Sequence, residues 1–239
     1  MHLISESKMA LNLNNLVVPY KEFYGKENPR YIDQMPLLIA EGRVPLSLAN
    51  VLERRLYSDL QDWKGNYFDT GDAIAYHPDK KFKIILDAEL LLTLNPESKL
   101  RKGALILEDG LYEKLEGEEF LYRNVEKFLD KDLSQEEVLQ HPLWRAVARD
   151  QALLEEYVPR MYKEMKERWN YNENMGVYLD SFDGSPKLRA LVVDRLEDGS
   201  GLNGWNNLGS VGGRLVGVAP EALNAHGKVI VKPSLETAF

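Results

Sequence analysis

Apolar and polar positions alternate with a period that changes several times along the chain. Over 11–18, Leu11, Leu13 and Leu16 are spaced by asparagines before Val17, Val18 and Pro19, a pattern that predicts an edge strand. A charged loop over 20–30 leads to a helical pattern over 31–42 that stops at Gly42, and Ser47, just past Pro45, is placed to cap a second helix. In that helix Leu48, Leu52, Leu56, Leu60 and Trp63 share one face, which leaves Glu53, Arg54, Arg55 and Asp59 for solvent. The period then falls to two. Residues 72–76 and 82–86 are short β-rich runs on either side of His77-Pro78-Asp79-Lys80, and a proline followed by an aspartate suits the turn of a hairpin. The apolar runs 90–94 and 104–107 read as further strands.

From 111 to 169 a helical period returns. Leu154, Tyr157, Val158, Met161, Met165 and Trp169 form an apolar stripe, with Glu156 and Arg160, and Glu164 and Arg168, paired four apart on the other face. Pro159 interrupts the stripe and predicts a kink or a break near Tyr157, because proline lacks the amide donor and crowds the preceding turn. Ser134, followed by Gln135, Glu136 and Glu137, reads as a helix start. After Trp169, Asn170, Asn172 and Asn174 mark turns, and four strand-like runs follow at 176–179, 188–193, 214–218 and 228–231. The predicted class is therefore α+β: N-terminal helices with a β-hairpin, a central helical block, and a C-terminal antiparallel sheet. Residues 1–110 form an N-terminal α+β region and 111–239 the helical block plus sheet, as two units or one continuous domain.

Composition narrows the chemistry. A chain of 239 residues buries a sizeable core without staples, and the absence of cysteine removes disulfides, zinc–thiolate sites and thiol nucleophiles. Thirty-eight acidic against 30 basic residues give a net charge of −8, which disfavours a general nucleic-acid binder. No run approaches the roughly 18 to 20 apolar residues that span a bilayer, and the first residues lack the pattern of a secretory signal, so a cytoplasmic location is expected.

The remaining signals are loops and carboxylates. The stretch 199–213 is rich in glycine, but Gly212-Gly213 leads into Arg214 and a strand rather than Gly-Lys-Ser and a helix, so it is neither a P-loop nor a dinucleotide fingerprint. It reads either as a plain connector or as a recognition loop, with Trp205 as anchor and Asn203, Asn206, Asn207 and Arg214 as polar contacts. An exposed Trp205 distinguishes the second. Asp69 and Asp72 stand at the head of the predicted hairpin, and Asp87 and Glu89 follow its second strand. Oxygen ligands so placed suit Mg²⁺ or Mn²⁺, although acids beside turns commonly serve as caps. In Asp180-Ser181-Phe182-Asp183-Gly184 the third position of a calcium loop is filled by Phe182, and Asp194, Glu197 and Asp198 read as turn residues. His2, His77, His141 and His226 form no ligand pair on a helix face, and no hydrolase or kinase signature is present. The helices at 36–42 and 47–56 with the 72–86 hairpin as a wing, and Arg43, Arg54 and Arg55 for phosphates, make a winged-helix alternative, opposed by the surrounding acids.

Asn174-Met-Gly-Val-Tyr178, Gly213-Arg-Leu-Val-Gly-Val-Ala219 and Arg43-Val-Pro-Leu-Ser47 together resemble an uncharacterised protein family of hyperthermophilic archaea. That resemblance implies an intracellular protein of unassigned activity and carries over no functional residue. The missing cysteine and the Glu/Lys-rich helices suit a thermophile, and the frequent asparagine does not. The leading expectation is a non-catalytic binding or assembly module, with a protein partner or self-association, no membrane and no cofactor. The alternatives are a hydrolase or nuclease dependent on Mg²⁺ or Mn²⁺, and a winged-helix DNA-binding protein.

Overall fold

The computed structural model describes residues 30–57, 61–209 and 212–218. The predicted strands at 11–18 and 228–231, with His2, His226, Asp59 and Leu60, lie outside them. The elements run, in chain order, α1 (Tyr31–Ala40), β1 (Val44–Pro45), α2 (Leu48–Tyr57), β2 (Phe68–His77), β3 (Lys81–Ile85), β4 (Leu100–Arg101), β5 (Ala104–Ile106), β6 (Glu118–Leu121), α3 (Gln135–Gln140), α4 (Pro142–Ala148), α5 (Gln151–Trp169), β7 (Val177–Tyr178), β8 (Lys187–Val193), β9 (Leu202–Asn203), β10 (Arg214–Leu215) and β11 (Gly217–Val218), with single-turn helices between several of them.

The class is α+β, and its centre is β2. Along this strand Ile74 and Tyr76 face one side and Ala73 and Ala75 the other, and all four are buried. A strand covered on both faces loses the apolar–polar alternation of a half-exposed one and reads as continuously apolar. The large side chains join Phe82, Leu191 and Val193 against a helical layer that supplies Leu52 and Leu56 from α2, Trp144 from α4, and Leu154, Tyr157, Met161 and Met165 from α5. The alanines leave room for α1, whose Tyr31, Met35 and Leu38 pack on the opposite face with Leu188, Ala190 and Leu215. Sheet order is β4-β5-β8-β2-β3-β6, with β9 added to β8 and β10 pairing in parallel with β2. Because β2 pairs antiparallel with both β3 and β8, strands from the two halves of the chain form one sheet.

Several local expectations are met. Ser47 caps α2, its Oγ accepting from the Asn50 amide at 3.2 Å, and Ser134 caps α3 in a reciprocal box with Glu137. Others are corrected. The run 90–94 is not a strand: a single-turn helix occupies Glu89–Leu92, after Asp87 turns the chain at a φ of 49°. The stretch 111–169 is interrupted by β6, which pairs with β3. Pro159 does not break α5, which runs unbroken from Gln151 to Trp169. Pro159 and Glu155 are both exposed, so the carbonyl that proline leaves without an amide donor is open to water.

Arg54 and Arg55 are buried rather than solvated. Arg55 lies within the helical layer, where its guanidinium donates to the carbonyls of Trp63 at 2.7 Å and Asn66 at 3.0 Å and to the Ser200 hydroxyl at 3.0 Å. Arg54 lies over the Trp63 ring at 4.8 Å. Neither is presented to a phosphate, and the 72–86 hairpin sits in the middle of the sheet rather than projecting as a wing.

Candidate partner-binding site

The loop that follows β9 is folded by its own asparagines. The Asn203 side-chain oxygen accepts from the Trp205 amide at 3.0 Å, and the Asn207 oxygen accepts from the Gly209 amide at 2.9 Å. These are two successive turns of the kind that asparagine makes with a backbone amide two residues on. The body of the protein then fixes the loop from outside. The Gly204 amide donates to the Tyr178 carbonyl at 2.8 Å, and its carbonyl accepts from the buried Tyr76 hydroxyl at 2.8 Å. A Cβ at 204 would press on that hydroxyl, so glycine is what lets the loop close on Tyr76. Arg189, buried within β8, donates to the Asn206 carbonyl at 2.7 Å and to the Lys102 carbonyl at 2.8 Å while its Nε binds Asp180 at 2.7 Å. The Leu208 amide donates to the Gly103 carbonyl at 2.9 Å.

Every one of these contacts is made by the backbone or by the asparagines. Trp205 is 57% exposed, among the most exposed large apolar residues described. Its ring has no aromatic or cationic contact among the described residues. An amphipathic indole on a fixed backbone adds contact area to a partner at little cost in conformational entropy.

Beneath the loop lie two buried carboxylates. Asp69 is 4% exposed and accepts from the Asn206 amide nitrogen at 2.6 Å. Burial pushes it up to about 7, against the pull of Asn206 and of Arg214. A side chain at Gly213 would run into this carboxylate, so the chain beyond the loop also closes on it. Asp194, next to β8, is likewise pushed up to about 7 by burial, with Arg55 and Asn203 opposing the shift. Of the five loop residues singled out in the sequence, Asn203, Asn206 and Asn207 shape the loop and Trp205 is presented by it. Arg214, half-buried at the start of β10, faces Asp69.

The four carboxylates considered for a metal do not gather at one point, and only Asp72 and Asp87 are neighbours. Asp69 belongs to the loop. Asp72 is wholly buried: its Oδ2 accepts from the Leu48 amide at 2.7 Å, at the start of α2, and its Oδ1 from the Asp87 amide at 2.8 Å. Arg149, at the end of α4, bridges the Asp72 and Asp87 carboxylates, with contacts of 2.5 and 2.7 Å. A guanidinium therefore stands where these two acids meet, and burial raises the Asp72 pKa with Arg149 holding it down. Glu89 opens the single-turn helix that follows. Among the described residues no group of three or more His, Asp or Glu side chains is gathered closely enough to hold an ion.

No family model matches the chain, and no curated protein matches it. A solved structure does. It comes from Nanoarchaeota and is described as a C-type lectin fold that accommodates massive sequence variation. It superposes with a TM-score of 0.59 over 82% of this chain and 99% of that one, at 16% sequence identity. The chain is similar in fold to a C-type lectin-fold protein. At that identity the likeness concerns the backbone alone, and the resemblance to an archaeal family rests on a distant neighbour rather than on a family match.

Of the residues that hold the loop, Tyr76 and Arg189 are not singled out in the sequence, and Asp180 figures there only as an acid of a calcium-loop-like turn. Arg189 was readable in principle: a lone arginine within Leu188-Arg-Ala-Leu-Val-Val193, an apolar run of strand length, must find buried acceptors. Tyr76 carries no such signal, since its partners at Gly204 and Asp180 lie 128 and 104 residues away in sequence.

Proposed function

We propose that the protein is a non-catalytic binding module that takes a protein partner on the 203–209 loop, with Trp205 as the anchor. The observation that carries this reading is the contrast within the loop: the backbone is fixed from four directions, while the indole is 57% exposed. Binding energy at protein interfaces concentrates on such aromatic anchors, and a loop that is already ordered loses little entropy on association. The Nanoarchaeota neighbour is described as a fold accommodating massive sequence variation, and a fold with two covered sheet faces and separately anchored loops suits that division between scaffold and surface. Among the described residues no helix is long and apolar enough to cross a membrane.

The test is retention of a partner from the source organism's lysate on immobilised wild-type protein and on Trp205→Ala. Among the described residues no hydrogen bond or ring contact depends on the indole, and more than half of it is exposed, so the variant unfolds close to the wild-type temperature but loses the partner, with a cost of about 2 kcal/mol or more, the usual size for an interface hot spot. The same partners held equally by both proteins contradict the reading.

A further inference from the structure

The hairpin of β4 and β5 stands beside the Trp205 loop and is basic towards its tip, where Lys99, Arg101 and Lys102 are exposed. We propose, on the reading of the 203–209 loop given above, that the partner segment taken there is acidic: an apolar side chain of that segment covers the Trp205 indole while its carboxylates meet Arg101 and Lys102.

A single buried guanidinium ties the two segments together. Arg189 donates to the Asn206 carbonyl at 2.7 Å and to the Lys102 carbonyl at 2.8 Å, so the residue after Trp205 and the tip of the hairpin share one anchor. Lys102 and Gly103, at φ values of 50° and 74°, make the two-residue turn, and a Cβ at Gly103 would overlap the Asn207 side chain. The Leu208 amide closes the contact on the Gly103 carbonyl at 2.9 Å. Leu100 packs with the core on the α1 face, so the next strand residue, Arg101, points to the opposite face. Gly204 closes over Ile74 and Tyr76 on that same face.

Charge then selects the partner. The side chains of Lys99 and Arg101 make no ion pair or hydrogen bond among the described residues. Lys102 reaches Asp183 at 3.3 Å, with both side chains exposed, a pair of the kind worth little in water and open to exchange for a partner's carboxylate. Asp180 is engaged by Lys187 at 2.9 Å and by Arg189 at 2.7 Å. Glu97, exposed in the turn before β4, is the acid that opposes the three cations. At physiological salt a charge is felt over about 8 Å. A short acidic segment therefore senses this basic tip, whereas a long phosphate backbone extends over the rest of a chain whose net charge is −8.

The probe is the capped hexapeptide Glu-Leu-Glu-Glu-Leu-Glu, titrated at millimolar concentration and low salt into the isotope-labelled full chain and followed by NMR. It shifts the indole resonance of Trp205, identified by its absence from Trp205→Ala, together with the Gly103 amide. Arg101→Gln with Lys102→Gln weakens binding by roughly fivefold, the effect of losing two exposed charge pairs. Lys163→Gln with Lys166→Gln, an equal charge change on α5, leaves it unchanged, and the peptide Lys-Leu-Lys-Lys-Leu-Lys leaves the indole resonance in place. No shift with the acidic peptide, or equal loss in the two charge variants, overturns the proposal. An equal response of the indole to the lysine peptide overturns the acidic partner but keeps Trp205 as the anchor, so the loop reading survives it. Binding of the acidic peptide that persists in Trp205→Ala, read at Gly103, overturns the joint surface and counts against the loop as well. Hexathymidylate shifting the same resonances more than the acidic peptide assigns the surface to nucleic acid and overturns the proposal.

Discussion

A single buried carboxylate shows how position changes what an acid does. Asp69 reads in the sequence as one of several acids beside a turn, yet it lies beneath the 203–209 loop, 4% exposed and pushed up to about 7 by burial. Its ordinary value is near 3.8, so between about pH 4 and 7 the folded state keeps a proton that the unfolded chain releases. Stability from this group is then greatest at low pH and falls as pH rises through that window. Asp69→Asn keeps an acceptor for Asn206 and removes the titration. Thermal denaturation should find the variant close to wild type below about pH 4, with a margin over wild type that grows as pH rises to 7 and is full at pH 8. A difference that is constant with pH would show that Asp69 does not titrate there. His141 acts in the opposite sense: burial lowers it to about 4, so its contribution is present above pH 6.5 and is lost as pH falls towards 4. The comparison of Asp69→Asn with wild type cancels that background.

Elements meet through polar anchors as much as through the core. Asp72 ties the first amide of α2 to the turn after β3, and Arg149 at the end of α4 holds the same carboxylate together with Asp87. Asp72 is wholly buried, so removing its cationic partner leaves an unpaired charge. Arg149→Met is expected to lower unfolding stability by about 3–5 kcal/mol, measured by chemical denaturation. A loss under about 1 kcal/mol, the scale of a surface pair, would mean that Asp72 is sufficiently held by its two amide donors.

This explains which elements were legible in the sequence. The helices α2 and α5 and the hairpin of β2 and β3 declare themselves because each has a local period: leucines every fourth residue, a continuous stripe, two apolar runs about Pro78-Asp79. Pro159 misleads because the rule that places it at a break takes no account of where its orphaned carbonyl points. Arg54 and Arg55 mislead because helical periodicity assigns charge to solvent, while Arg55 finds its acceptors at Trp63, Asn66 and Ser200. Of the candidate site, Trp205 and its flanking asparagines could be found from the loop composition. Of the residues that hold the loop, Arg189 is marked by its charge within an apolar run, whereas Tyr76 reaches Gly204 across 128 residues of sequence and leaves no local trace.

At the scale of the whole molecule, one sheet receives strands from both halves of the chain, with helices on one face and α1 on the other. The 203–209 loop is tied to four parts of that frame: β2 through Tyr76 and Asp69, β7 through Tyr178, β8 through Arg189, and the turn between β4 and β5 through Gly103. A loop so held is an ordered surface before any partner arrives. Its order and its role are both read by amide hydrogen exchange of the full chain, alone and saturated with a partner captured on the wild-type protein. The account predicts slow exchange at Gly204 and Leu208 in the free protein, whose amides donate to Tyr178 and Gly103, and additional protection centred on 203–209 in the complex. Rapid exchange of these amides in the free protein, or a footprint that leaves the loop untouched, contradicts it.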